Sequence, residues 1–89
     1  PLLATPATAT GTPTPACIQA RGEARYIGFA YDHFVHVHNG CDKAAACAIT
    51  TNVNPDTVRA RVAPKRTQSV LTYRANPSRE FTFELRCKL

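Results

Sequence analysis

Phe81-Thr82-Phe83-Glu84-Leu85-Arg86-Cys87-Lys88 is the stretch on which the fold turns. Apolar residues stand at 81, 83, 85 and 87, and polar or charged ones at 82, 84, 86 and 88. A period of two marks a strand with one face buried and the other in water. The same period recurs upstream. Val58, Ala60 and Val62 alternate with Arg59 and Arg61, and Val35 and Val37 alternate with Phe34, His36 and His38. In 47–53, Cys47, Ile49, Thr51 and Val53 share a face.

Three further stretches complete the pattern. Residues 17–22 open a first strand. Residues 25–31 are rich in aromatic and β-branched types and read as a second, with Ile27, Phe29 and Tyr31 on one side. Residues 68–74 read as a strand without a fixed register. Turn-forming runs separate them: Asn39-Gly40, Asn54-Pro55-Asp56, Pro64-Lys65-Arg66 and Asn76-Pro77-Ser78. No stretch carries a helical period. The expectation is an all-β fold, a small antiparallel β-sandwich of six to seven strands. Its layout is immunoglobulin-like in architecture only, which implies no function.

The expected domain covers 17–89, and 1–16 form an extended Pro/Thr-rich tail. Prolines at 1, 6, 13 and 15 favour open backbone without internal hydrogen bonds. Thr5, Thr8, Thr10, Thr12 and Thr14 beside them suit an O-glycosylated stalk. Leu2 and Leu3 suit a docking anchor, because an extended tail can add a strand to a sheet edge.

A chain of 89 residues buries only a modest core, so staples are expected. Cys17, Cys41, Cys47 and Cys87 make an even set, and their spacing lacks the close pairs of a zinc site. Two disulfides follow, and with them an oxidising compartment: secreted, periplasmic or at the cell surface. The first pairing to expect is Cys41–Cys47 across a hairpin loop, with Cys17–Cys87 joining first strand to last. The alternative is Cys17–Cys41 with Cys47–Cys87, since 47 and 87 both point inward. A start at Pro1 with no Met suits a chain trimmed of a signal peptide. No apolar run approaches the roughly 20 residues of a membrane-spanning helix.

Three surfaces are candidates for function. His33, His36 and His38 are all the histidines of the chain, and alternate strand positions can chelate copper or zinc. His36 and His38 share a parity; His33 has the opposite one. Their titration near neutral pH would also make an interface pH-dependent. The second surface is basic. Residues 58–89 hold eight Lys or Arg against two acidic residues, whereas 1–57 hold three against four. Arg59, Arg61, Arg86 and Lys88 point outward, with Lys65 and Arg66 at a turn, and together they suit an anionic glycan or an acidic protein surface. Nucleic acid is not expected, because no aromatic residue is set among them for stacking. The third surface is the tail.

Catalysis is not expected. Ser69 and Ser78 lie in no nucleophile motif, the acidic residues Asp32, Asp42 and Asp56 sit at turns, and four glycines form no phosphate loop. The leading expectation is a non-catalytic secreted or surface domain that binds or self-assembles, as a structural or fibre-type subunit docked through its tail. A copper- or zinc-binding protein and a small secreted inhibitor or toxin are the alternatives.

Overall fold

The computed structural model describes residues 14–89. Leu2, Leu3, Thr5, Thr8, Thr10 and Thr12 lie outside the described residues. Six strands follow one another: β1 (Ile18–Tyr26), β2 (Tyr31–Asn39), β3 (Ala45–Thr51), β4 (Val58–Val62), β5 (Arg66–Asn76) and β6 (Phe83–Lys88). They form two antiparallel three-stranded sheets, ordered β1-β2-β5 and β4-β3-β6. The chain makes a hairpin in the first sheet, crosses to make a hairpin in the second, and returns to lay β5 beside β2. It then crosses once more to lay β6 beside β3.

The alternation read from the sequence decides which residues face inward. Val35, Val37 and Val70 from the first sheet meet Ala45, Cys47, Ile49, Val62 and Cys87 from the second in one apolar cluster. Phe81, Phe83 and Leu85 pack against it, half-buried. Gly22 lies in the middle of β1. A Cβ there would stand 3.2 Å from the Phe81 ring and 3.4 Å from that of Phe83, so its absence lets the two phenyl groups reach the sheet.

One expected strand does not form. Residues 25–31 straddle the first hairpin: β1 continues to Tyr26, and Ile27–Ala30 turn the chain into β2, with the Ile27 amide donating to the Ala30 carbonyl at 2.9 Å. Gly28 takes φ 103°, a backbone state open to glycine and strained for other residues. Ile27 and Phe29, expected on one face of a strand, are at the tip, and Phe29 is 79% exposed.

The disulfides follow the second pairing. Cys17 joins Cys41, and Cys47 joins Cys87. The expected Cys41–Cys47 bridge needed a hairpin between β2 and β3, but 40–44 carry the chain from one sheet to the other. The Asn39 side chain fixes that crossing. Its Oδ1 accepts from the Cys41 amide, and its Nδ2 donates to the carbonyls of Lys43 and Val62 at 2.8 and 2.9 Å. Cys47 and Cys87 are direct cross-strand partners in the β3–β6 ladder. Each bridge therefore fastens strands within one sheet, and the two sheets are held together by their shared core.

No helix is long and apolar enough to cross a membrane among the described residues. The two disulfides fit an oxidising compartment.

Candidate binding faces

Each sheet turns one face inward and one to solvent, so the candidate residues sort by parity. On the first sheet the outward rows, read across β1-β2-β5, are Gln19–His38–Thr67, Arg21–His36–Ser69 and Glu23–Phe34–Leu71. These side chains are tied to one another. Glu23 holds Arg25 through two hydrogen bonds of 3.0 and 3.1 Å. Its Oε1 also lies 2.7 Å from His36 Nε2. The Arg25 guanidinium stacks 4.4 Å from the centre of the Phe34 ring.

The Arg25 hydrogen bonds, and then that of His36, hold the Glu23 carboxyl down to about 2. An ionised Glu23 can only accept, so His36 carries its proton on Nε2. In the neutral imidazole Nδ1 is then the acceptor for the Ser69 hydroxyl, 2.8 Å away. His38 Nδ1 lies 2.9 Å from Thr67 Oγ1 in the neighbouring row. A hydroxyl, an imidazole and a carboxylate in that order is the arrangement of an activated nucleophile. Ser69 stands exposed on an edge strand, and with Arg21, His36, His38 and Thr67 it lines a shallow open depression. The chain of bonds also forms a strut across three strands.

The three histidines do not form one metal site. His33 points inward, as its parity requires, and is fully buried. Its Nε2–H donates to the Ser78 carbonyl at 2.6 Å, and its ring stacks on Phe81 with centroids 4.3 Å apart. His36 and His38 are on the other side of β2. Among the described residues no three His, Cys, Asp or Glu side chains are grouped to hold a metal ion.

The outward face of the second sheet is different in kind. In the register of β4-β3-β6, Ala46 lies between Arg61 and Lys88, and Ala48 lies between Arg59 and Arg86. Two cations stand on β4, two on β6, and only methyl groups stand between them. The three ion pairs among the described residues are Glu23 with Arg25, Glu23 with His36 and Asp42 with Lys65, so none involves these four. Lys65 and Arg66 do not join them. Lys65 is drawn to the Gly40 carbonyl at 2.7 Å and to Asp42 at 3.4 Å, and Arg66 opens β5 in the other sheet.

One feature escaped the sequence reading, and a second, at Thr14, was expected only as one of the tail residues that dock or carry sugars. The hairpin tip exposes Tyr26, Ile27 and Phe29 together, and the lone glycine at 28 was the available signal. Thr14 reaches the outer edge of β6. Its Oγ1 donates to the Leu85 carbonyl at 3.0 Å and accepts from the Cys87 amide at 3.2 Å. Nothing in the local pattern of 1–16 marks that contact.

No family model, no curated protein and no solved structure matches this chain.

Proposed function

We propose that the chain is a non-catalytic extracytoplasmic β-sandwich, immunoglobulin-like in layout, that works by self-assembly through its N-terminal segment. The observation that carries this reading is Thr14 on β6. In the immunoglobulin layout one sheet holds strands A, B, E and D and the other holds C, F and G. On this reading β1, β2 and β5 correspond to A, B and E, and β3 and β6 to C and F, while β4 departs from the D place by pairing with β3. The place of G is the free edge of β6, and there Thr14 answers one carbonyl and one amide with its side chain. A free edge is a template for strand addition.

Pro13 and Pro15 flank Thr14 and cannot donate to a ladder, which is why a side chain makes the contact there. Residues 1–13 precede this point in the chain, and a segment of that length, if fully extended, would reach about 43 Å. That length covers the edge of the chain's own β6 or, by exchange, that of a second copy. Exchange of an identical segment is a low-cost route to oligomers. Leu2 and Leu3 are the anchors for the exchanged strand, and the threonines between them and the domain carry any sugars.

Deleting 1–13 tests this reading by light scattering after size exclusion. The full chain is expected to form oligomers, and the shortened chain to be a monomer that still unfolds cooperatively. Oligomers of unchanged mass after the deletion, or a full chain that is monomeric at all concentrations, would sink it.

A further inference from the structure

We infer that the outward face of β4-β3-β6 is a binding trench for a linear anionic polysaccharide, one bearing sulfate or carboxylate groups on successive sugars. The inference is independent of the N-terminal segment and rests on the four cations and the floor between them.

The walls come first. Neighbouring strands lie 4.7–4.9 Å apart, so β4 and β6, on either side of β3, are about 10 Å apart. Residues two apart on a strand are about 6.6 Å apart along it. Arg59, Arg61, Arg86 and Lys88 thus stand at the corners of a rectangle, two on each ridge. All four are exposed. At physiological salt the Debye length is about 8 Å, so the two ridges repel each other only weakly. Within the protein no carboxylate among the described residues forms an ion pair with any of the four, and Glu84, one row away on the same face, is the nearest outward acidic residue in the register. An anion laid between the ridges would relieve their repulsion.

The floor decides the shape of the ligand. Ala46 and Ala48 put single methyl groups where longer side chains would fill the space between the ridges. The trench runs along β3, parallel to the strands. A linear polymer can lie in it and meet both ridges in turn. Three of the four cations are arginines, whose planar fork accepts sulfate or carboxylate in a bidentate grip. The next row along the face holds Thr50 with Glu84 on β6. Glu84 repels an anion and limits how far the polymer's charges extend in that direction.

The same residues argue against other anionic partners. Single-stranded nucleic acid binding relies on aromatic platforms, and this face has none: its outward residues are Arg, Lys, Ala, Thr and Glu. A membrane surface calls for apolar or aromatic side chains that enter the lipid, and two alanines do not reach.

The test is titration of the full chain with a fully sulfated hexasaccharide, read by calorimetry at several salt concentrations. Binding that weakens steeply with salt is expected. Arg59→Gln with Arg86→Gln should weaken it about tenfold, by loss of two charge-assisted contacts. Arg21→Gln with Arg74→Gln removes the same net charge from the other sheet and should change it less than about twofold. Ala48→Phe fills the floor without altering charge and should weaken binding about as much as the first pair. Glu84→Gln, which leaves the floor untouched, should tighten it about twofold to threefold. Four results overturn the inference. They are absence of binding, equal loss in the two double variants, undiminished binding by a folded Ala48→Phe, and tighter binding of a single-stranded oligonucleotide of equal charge. If Ala48→Phe does not fold, weaker or unchanged binding by Glu84→Gln overturns it.

Discussion

The two solvent-facing sides of this domain are built on the same backbone geometry and spend their charges in opposite ways. On the β1-β2-β5 side, Glu23 is shared between Arg25 and His36, His36 is completed by Ser69, and Arg25 lies over Phe34. Charges there serve neighbours within the sheet. On the β4-β3-β6 side, four cations surround two alanines and pair with no carboxylate among the described residues. A small domain gains little from exposed ion pairs, each about 0–1 kcal/mol, so leaving four cations unpaired costs it little. What the contrast teaches is which side pairs its charges within the sheet and which, among the described residues, leaves them unpaired.

The bridges are the strongest way to break that contrast, because each belongs to one side. Cys47–Cys87 spans 40 residues and pins the trench floor to one of its walls. Replacing both by alanine should lower unfolding stability by about 4 kcal/mol in the chain-entropy model. Cys17–Cys41 spans 24 and closes the open end of the β1–β2 hairpin, for about 3.5 kcal/mol. Urea unfolding checks both. The sharper reading is local: removing the first bridge should speed amide exchange in β6 more than in β1, and removing the second should do the reverse. Similar exchange in both strands for both variants would mean that the sheets are not separately stapled.

Much of this could be read from the chain, and where it failed is instructive. Alternation placed Arg59, Arg61, Arg86 and Lys88 outward, because a period of two is a local property. It could not place Ala46 and Ala48 between them. That depends on β4 and β6 both pairing with β3, and strand order is set by contacts distant in sequence. The disulfides failed for the same reason. Parity put Cys47 and Cys87 on one side, but the short loop between Cys41 and Cys47 looked like a hairpin. The role of Asn39 decides otherwise: it read as half of a turn signal and is in fact a buried amide joining β2 to the carbonyl of Val62. Residues 25–31 were misread because apolar residues in a tight turn share the composition of a strand. The His33 parity, by contrast, was right, and it dissolved the three-histidine site.

The strut on the first side responds to acid. Glu23 is held near 2 against a usual value of 4.5, so its contribution is complete above 4.5 and is lost as pH falls from there towards 2. Glu23→Gln should leave a flatter stability profile between pH 4.5 and 2, with the two proteins converging at the acid end. His36→Ala removes the partner of both Glu23 and Ser69 and should cost about 1–2 kcal/mol at pH 7. Thermal unfolding across that pH range reads both. A Glu23→Gln profile parallel to that of the parent protein would mean that the carboxylate does not hold the strut.

The smallest effect discriminates best, because it compares one substitution on the two sides. Arg25→Gln takes a guanidinium from a carboxylate and an aromatic face, and should destabilise slightly. Arg59→Gln takes one from a ridge where its charged neighbours are cations, and should change stability by less than about 0.5 kcal/mol, towards greater stability at low salt. Added salt screens attraction on the first side and repulsion on the second. It should therefore narrow the deficit of Arg25→Gln and erase the gain of Arg59→Gln. Denaturation at low and high ionic strength separates the two signs. If both variants move together with salt, the net charge of +5 governs the response and the two faces are electrostatically alike. If they move apart, the cations of the second sheet are held against their mutual repulsion, which is the condition a site for an anionic chain must meet before the chain arrives.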